Sequence, residues 1–185
     1  MLIFAFFLIV LVIVVFFIIN LYNSLVRDRN AVKNAWSTID VQLKRLHYLI
    51  PNIIESVKVY ASHERETLDA VIKARQVAST SSGSVEDRAK AENALSASLR
   101  SLFALAEAYP NLKANENFIA LQAELAATEN KIGFARQFYN DTAMQYKNRV
   151  EMFPGNIVAG MFNFQAEPFF QLEDSKEREV LQVKF

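Results

Sequence analysis

The stretch AVKNAWSTIDVQLKRLHYLIPNIIESVKVY, residues 31–60, decides the fold. Val32, Trp36, Ile39, Leu43, Leu46, Ile50, Ile53, Val57 and Tyr60 follow one another at alternating steps of four and three, a heptad seam for packing one helix against others. Pro51 lies inside the seam, where a proline removes a backbone donor and crowds the carbonyl four residues earlier, at a cost of about 3 kcal/mol. The register nevertheless survives across it, which a loop would have scrambled. The spacing therefore predicts a helix over residues 23–79, kinked at residues 49–51 with the freed carbonyl near His47, and continuing through Leu68, Val71 and Ile72.

Outward from that helix, residues 79–84 (STSSGS) are small and polar, and Glu86 and Asp87 suit the positive end of a following helix. A second helix is expected over 85–109 on Leu95, Leu99, Leu102, Ala106 and Tyr109, stopping at Pro110. Asn115 is placed to cap a third helix over 115–152, with Glu116 in its first turn. Its seam is Phe118, Leu121, Leu125, Thr128, Ile132, Ala135, Tyr139, Thr142 and Tyr146, in which the small residues imply close helix approach. Beyond Phe153-Pro154-Gly155 the period vanishes, so residues 154–185 are expected as an irregular tail. Its five phenylalanines predict that part of it folds back on the bundle or touches the membrane.

Upstream, residues 2–19 form an unbroken apolar run of 18 residues, and the first charged side chain is Arg27. At about 1.5 Å per residue the run spans roughly 27 Å, near the 30 Å of a bilayer core. No small-residue cleavage site follows it, so residues 1–22 are expected as a retained anchor crossing the lipid bilayer through residues 2–21. Tyr22, Arg27 and Arg29 would mark the membrane interface. The basic flank of Arg27, Arg29 and Lys33 places the N-terminus outside and residues 23–153 in the cytoplasm.

Composition narrows the field further. Twenty basic against twenty acidic side chains give no net charge, so no basic field draws the chain to nucleic acid. Without cysteine there are no disulfides, thiolate metal ligands or thiol nucleophiles. Four Gly and four Pro leave little turn material for a many-stranded fold. The expectation is an all-α protein: a transmembrane helix, then an antiparallel, coiled-coil-like bundle of long helices.

Several blocks together resemble the LemA family of bacterial membrane-anchored proteins. They are YN (22–23), LV (25–26), NAVKNAWSTIDVQL (30–43), LIPN (49–52), YASHE (60–64), AEAYPNLKAN (106–115), LQ (121–122), TENKI (128–132), ARQFYN (135–140) and FP (153–154). The resemblance covers residues 20–165 in the family's order. It implies a short outer N-terminus, one span and a soluble antiparallel bundle, and it is to no characterised enzyme. Two departures are Leu46, where a second basic residue after Arg45 is expected, and Asn163, where a glycine before the phenylalanine is more usual.

Chemistry is sparse in the sequence. His63-Glu64 opens like the metalloprotease H-E-x-x-H, but Thr67 holds the fifth position, and His47 is sixteen residues away. No nucleophile elbow, phosphate loop or Glu-x-x-His pair occurs, so no catalytic, cofactor or metal residues are assigned and the protein is expected not to be an enzyme. What stands out is a polar ladder on heptad flanks: Lys33, Asp40 and His47 on the first helix, Gln122, Glu129 and Arg136 on the last. It serves either contacts between the chain's own helices or a partner. The resulting expectation is a membrane-anchored scaffold that binds other proteins or itself as a homo-oligomer. The alternative is a sensor or regulatory adaptor acting on a membrane protease or signalling system.

Overall fold

The computed structural model describes residues 1–81 and 83–170. The described residues form six helices and no strand: α1 (Leu2–Tyr60), α2 (Arg65–Thr80), α3 (Val85–Ala106), α4 (Pro110–Lys113), α5 (Glu116–Glu151) and α6 (Gly155–Met161). The chain divides into two compact units, one containing Ile39–Phe134 and the other made of Met1–Thr38 with Ala135–Phe169.

In the first unit α1, α2, α3 and α5 alternate in direction. Residue pairs fix this: His47 meets Arg75 of α2, Asp40 and His47 meet Arg88 and Glu92 of α3 in ascending order, and Arg45 and Tyr60 meet Glu124 and Asn115 in descending order. The core is the seam read from the sequence. Ile39, Leu43, Leu46, Ile50, Ile53 and Val57 are buried from α1, with Leu68 and Val71 of α2, Leu95, Leu99 and Leu102 of α3, and Phe118, Leu125 and Ile132 of α5. Each such side chain contributes about 1.5–3 kcal/mol by leaving water.

Helix α1 passes through Pro51 without a break. It does not continue to residue 79, however. It ends at Tyr60, and residues 61–64 turn before α2 begins at Arg65. The reason lies in the register: continued from Tyr60 by four and then three, the seam falls on Glu64 and Thr67, which offer nothing apolar to bury. Glu64 instead accepts a hydrogen bond of 2.8 Å from the Tyr109 hydroxyl, a contact that raises the tyrosine's pKa.

The helix ends match their chemistry. Ser84 and Asp87 form a reciprocal capping box at the start of α3. Asn115 Oδ1 accepts from the Phe118 amide at 3.0 Å, the cap expected for α5. Along α5 the seam departs at one step: Ala143 is fully buried where Thr142 was expected, while Tyr139 and Tyr146 on either side are buried as expected. The Thr142 hydroxyl donates to the Phe138 carbonyl at 2.7 Å, while buried Thr128 donates to Glu124 in the same way at 2.8 Å.

In the second unit the side chains of residues 2–17 are all exposed, and burial along α1 becomes complete only at Leu25, Val32 and Ala35. Tyr139, Ala143 and Tyr146 of α5 are buried in the same unit, and the Trp36 ring lies 5.3 Å from that of Tyr139. The region expected to be irregular contains α6, followed by Phe164, which is buried. Asn163 ends α6 at φ 54°, and the Phe164 amide then reaches back to the Ala159 carbonyl at 2.9 Å, the bond of a Schellman cap. At that position a side chain is strained, which accounts for glycine being the more usual residue. Residues 171–185, with Phe185 and most of the tail's acidic groups, lie outside the described residues.

Candidate functional site

In the four-helix unit the polar ladder turns inward at two rungs. Asp40 pairs with Arg88 at 2.9 Å, and His47 Nε2 meets Glu92 Oε1 at 3.2 Å. Glu92 is 3% exposed, and its second carboxylate oxygen has no hydrogen-bond partner among the described residues. Neither partner was assigned from the sequence. The signal was present, because stepping back from Leu95 by three and four lands on Glu92 and Arg88, two charges on the register of an apolar seam. Arg75 closes the cluster by donating from Nε to the His47 carbonyl at 2.9 Å.

The other rungs stand apart from this cluster. Gln122 is exposed and Glu129 is half-buried in the same unit, while Lys33, exposed, and Arg136, half-buried, belong to the other. Glu124 of α5, outside the ladder, pairs with Arg45 at 2.9 Å on the surface. His63 is exposed in the turn between α1 and α2. Among the described residues no three His, Asp or Glu side chains are grouped closely enough to hold a metal ion.

A second concentration of contacts lies where α1 leaves its apolar run. Tyr22 stacks edge-on against Phe162 at 4.8 Å and Phe164 at 5.6 Å, and the Arg29 guanidinium lies over the Phe164 ring at 5.1 Å. Arg149 of α5 grips α1 by an ion pair to Asp28 at 2.6 Å and a hydrogen bond to the Ser24 hydroxyl. Its carbonyl sits where a Cβ on Gly155 would be, so only glycine permits the tight corner between α5 and α6, which contains a cis Phe153-Pro154 bond. Arg27 is exposed beside this cluster.

Two tyrosines stiffen the unit from within. The Tyr139 hydroxyl donates to the Pro168 carbonyl at 2.8 Å, and burial, helped by the charge of Glu167, pushes its pKa up to about 12. Burial also raises the pKa of Tyr146, against the opposing charge of Arg29. At the corner a cavity of about 460 Å³ is lined by the polar Gln145, Asn148 and Arg149 together with Leu21, Met152 and Phe153.

Helix α1 is long and apolar enough at its N-terminal end to cross a membrane, and its apolar window is wholly unburied. A sequence profile of the LemA family matches residues 35–185. The chain is also 25% identical over 175 residues to Protein LemA of Metamycoplasma hominis, an alignment covering 95% of this chain and 80% of that relative. An all-helical fold with this match over most of its length leaves one assignment: the chain belongs to the LemA family.

Proposed function

We propose that the protein is a non-enzymatic scaffold of the bacterial cytoplasmic membrane, crossing it once and presenting its four-helix unit on the cytoplasmic side to partner proteins or to further copies of itself. One observation carries this reading. The exposed apolar side chains of residues 2–17 lie on the same unbroken helix that supplies the bundle's main seam, so the helix that anchors is also the helix that organises. Arg27, Arg29 and Lys33 beyond the apolar run support the cytoplasmic orientation. Exposed large rings at Tyr48 and Phe134 support partner binding, since aromatic side chains are enriched in interfaces.

The test compares two variants in a strain lacking the protein. His63→Ala is expected to complement the deletion, whereas a chain lacking residues 2–19, which keeps Tyr22, Ser24 and Leu25, is expected to fold and fail. Copurification after mild detergent extraction is expected to bring down further copies or structural partners. Loss of function in His63→Ala with an unchanged melting curve would overturn the non-enzymatic reading. Labelling of Ser62→Cys in intact cells by a membrane-impermeant thiol reagent would reverse the orientation.

A further inference from the structure

No residue between Glu151 and Glu167 is charged. The corner formed there by the end of α5 and by α6 exposes Met152, Phe153, Ile157, Met161 and Phe162, with Phe153 79% and Met161 65% accessible. Five large apolar side chains exposed within one short stretch mark a surface made to be covered. Its location says by what. Phe162 rests against Tyr22, and Met152 and Phe153 line one cavity with Leu21. Leu21 and Tyr22 follow the end of the apolar run at Ile19 by about 3–5 Å of helix rise. The headgroup layer on each side of a bilayer core is about 5–7 Å deep, so the corner stands at its level.

We propose that the α5–α6 corner is a second membrane contact, lying in the boundary between headgroups and acyl chains of the bilayer that the anchor crosses. This rests on the anchor reading above. The chemistry suits that boundary on both sides. Phe153, Ile157 and Met161 are apolar without charge to desolvate, while exposed Arg27 and the cavity residues Gln145 and Asn148 supply groups that bind phosphate and glycerol oxygens. Held at Tyr22 and at the corner, the protein would have its tilt relative to the membrane plane fixed, which a single span leaves free.

The chain has no cysteine, so single cysteines can be introduced one at a time into the full protein. Phe153→Cys and Ile157→Cys, with Phe17→Cys as a lipid reference and Ser101→Cys as a water reference, would carry spin labels in vesicles of phosphatidylcholine and phosphatidylglycerol. Collision rates with oxygen, which partitions into lipid, and with a water-soluble nickel chelate give the depth of each label. Labels at 153 and 157 are expected to favour oxygen several-fold over the label at 101 and to approach the label at 17. If they match the label at 101 while 17 reads lipid, the second contact is wrong and the anchor stands. If they are shielded from both reagents, a protein covers the corner and the proposal is overturned. A label at 17 that reads water overturns anchor and corner together.

Discussion

The Nε of Arg75 donates to the carbonyl oxygen of His47 at 2.9 Å, and that carbonyl is the one that Pro51, four residues on, leaves without its helical partner. An imperfection in α1 is thus the point at which α2 attaches. Removing the guanidinium orphans a half-buried carbonyl, so Arg75→Ala is expected to cost about 1–3 kcal/mol. In a Pro51→Ala background the restored amide takes the carbonyl back, and the same substitution is expected to cost less, with a coupling of about 1 kcal/mol. Urea denaturation of the full chain in detergent, followed by helical circular dichroism, measures the cycle. Equal costs in both backgrounds would mean that Arg75 does not answer the proline.

Helix continuity across Pro51 was legible because heptad spacing counts residues whether or not one backbone bond is missing. The same count explains what was missed. Glu64 and Thr67 lie on the α1 register and Arg88 and Glu92 on that of α3; at Glu64 the chain turns, whereas Arg88 pairs with half-buried Asp40 and Glu92 is buried against His47. A polar residue on a seam is ambiguous in one dimension, since breaking the helix and pairing across it satisfy it equally. Helix α6 escaped for another reason: seven residues are too few to display a period, and its structure rests on Gly155, Asn163 and contacts to Tyr22, far away in sequence.

The buried His47–Glu92 pair is expected to be costly to halve and cheap to replace. His47→Ala leaves a 3% exposed carboxylate with neither oxygen paired, at a cost of about 1–3 kcal/mol. His47→Leu with Glu92→Leu removes both polar groups and is expected to be neutral or stabilising. Denaturant midpoints of the single and double variants decide it. A double variant less stable than either single one would show that the pair holds the helices in place beyond its own charges.

Stability should fall in alkali. Tyr139 has its pKa raised from 10.0 to about 12 in the fold, so between those values the unfolded chain has lost a proton that the folded chain keeps. Unfolding is then favoured as pH rises, and the tyrosine's stabilisation is complete below pH 10 and is lost as pH climbs toward 12. Tyr139→Phe is expected to flatten this decline while losing about 1 kcal/mol at neutral pH with the bond to Pro168. Melting curves across that range would show an unchanged slope if the hydroxyl is not responsible.

Asn163 tests the cap of α6. At φ 54° a glycine is unstrained, so Asn163→Gly is expected to be neutral or slightly stabilising, whereas Asn163→Val should cost about 1–2 kcal/mol. Proteolysis after α5 reads the cap locally, with faster cleavage expected for the valine variant alone. Equal rates for the valine and glycine variants would remove the left-handed residue from the account.

The unit built from Met1–Thr38 and Ala135–Phe169 is closed by segments from opposite ends of the chain. On the ribosome its first half is made while its second half does not yet exist. Synthesis of the roughly 100 intervening residues takes about 5–20 s at bacterial rates. Through that interval Leu25, Val32 and Ala35 have no partner from α5, and the intervening segment can build its own four-helix core first. With the anchor proposed above, the nascent chain would be tethered to lipid before this unit is complete, and the last described segment to emerge, from Ala135 onward, is the one that seals it.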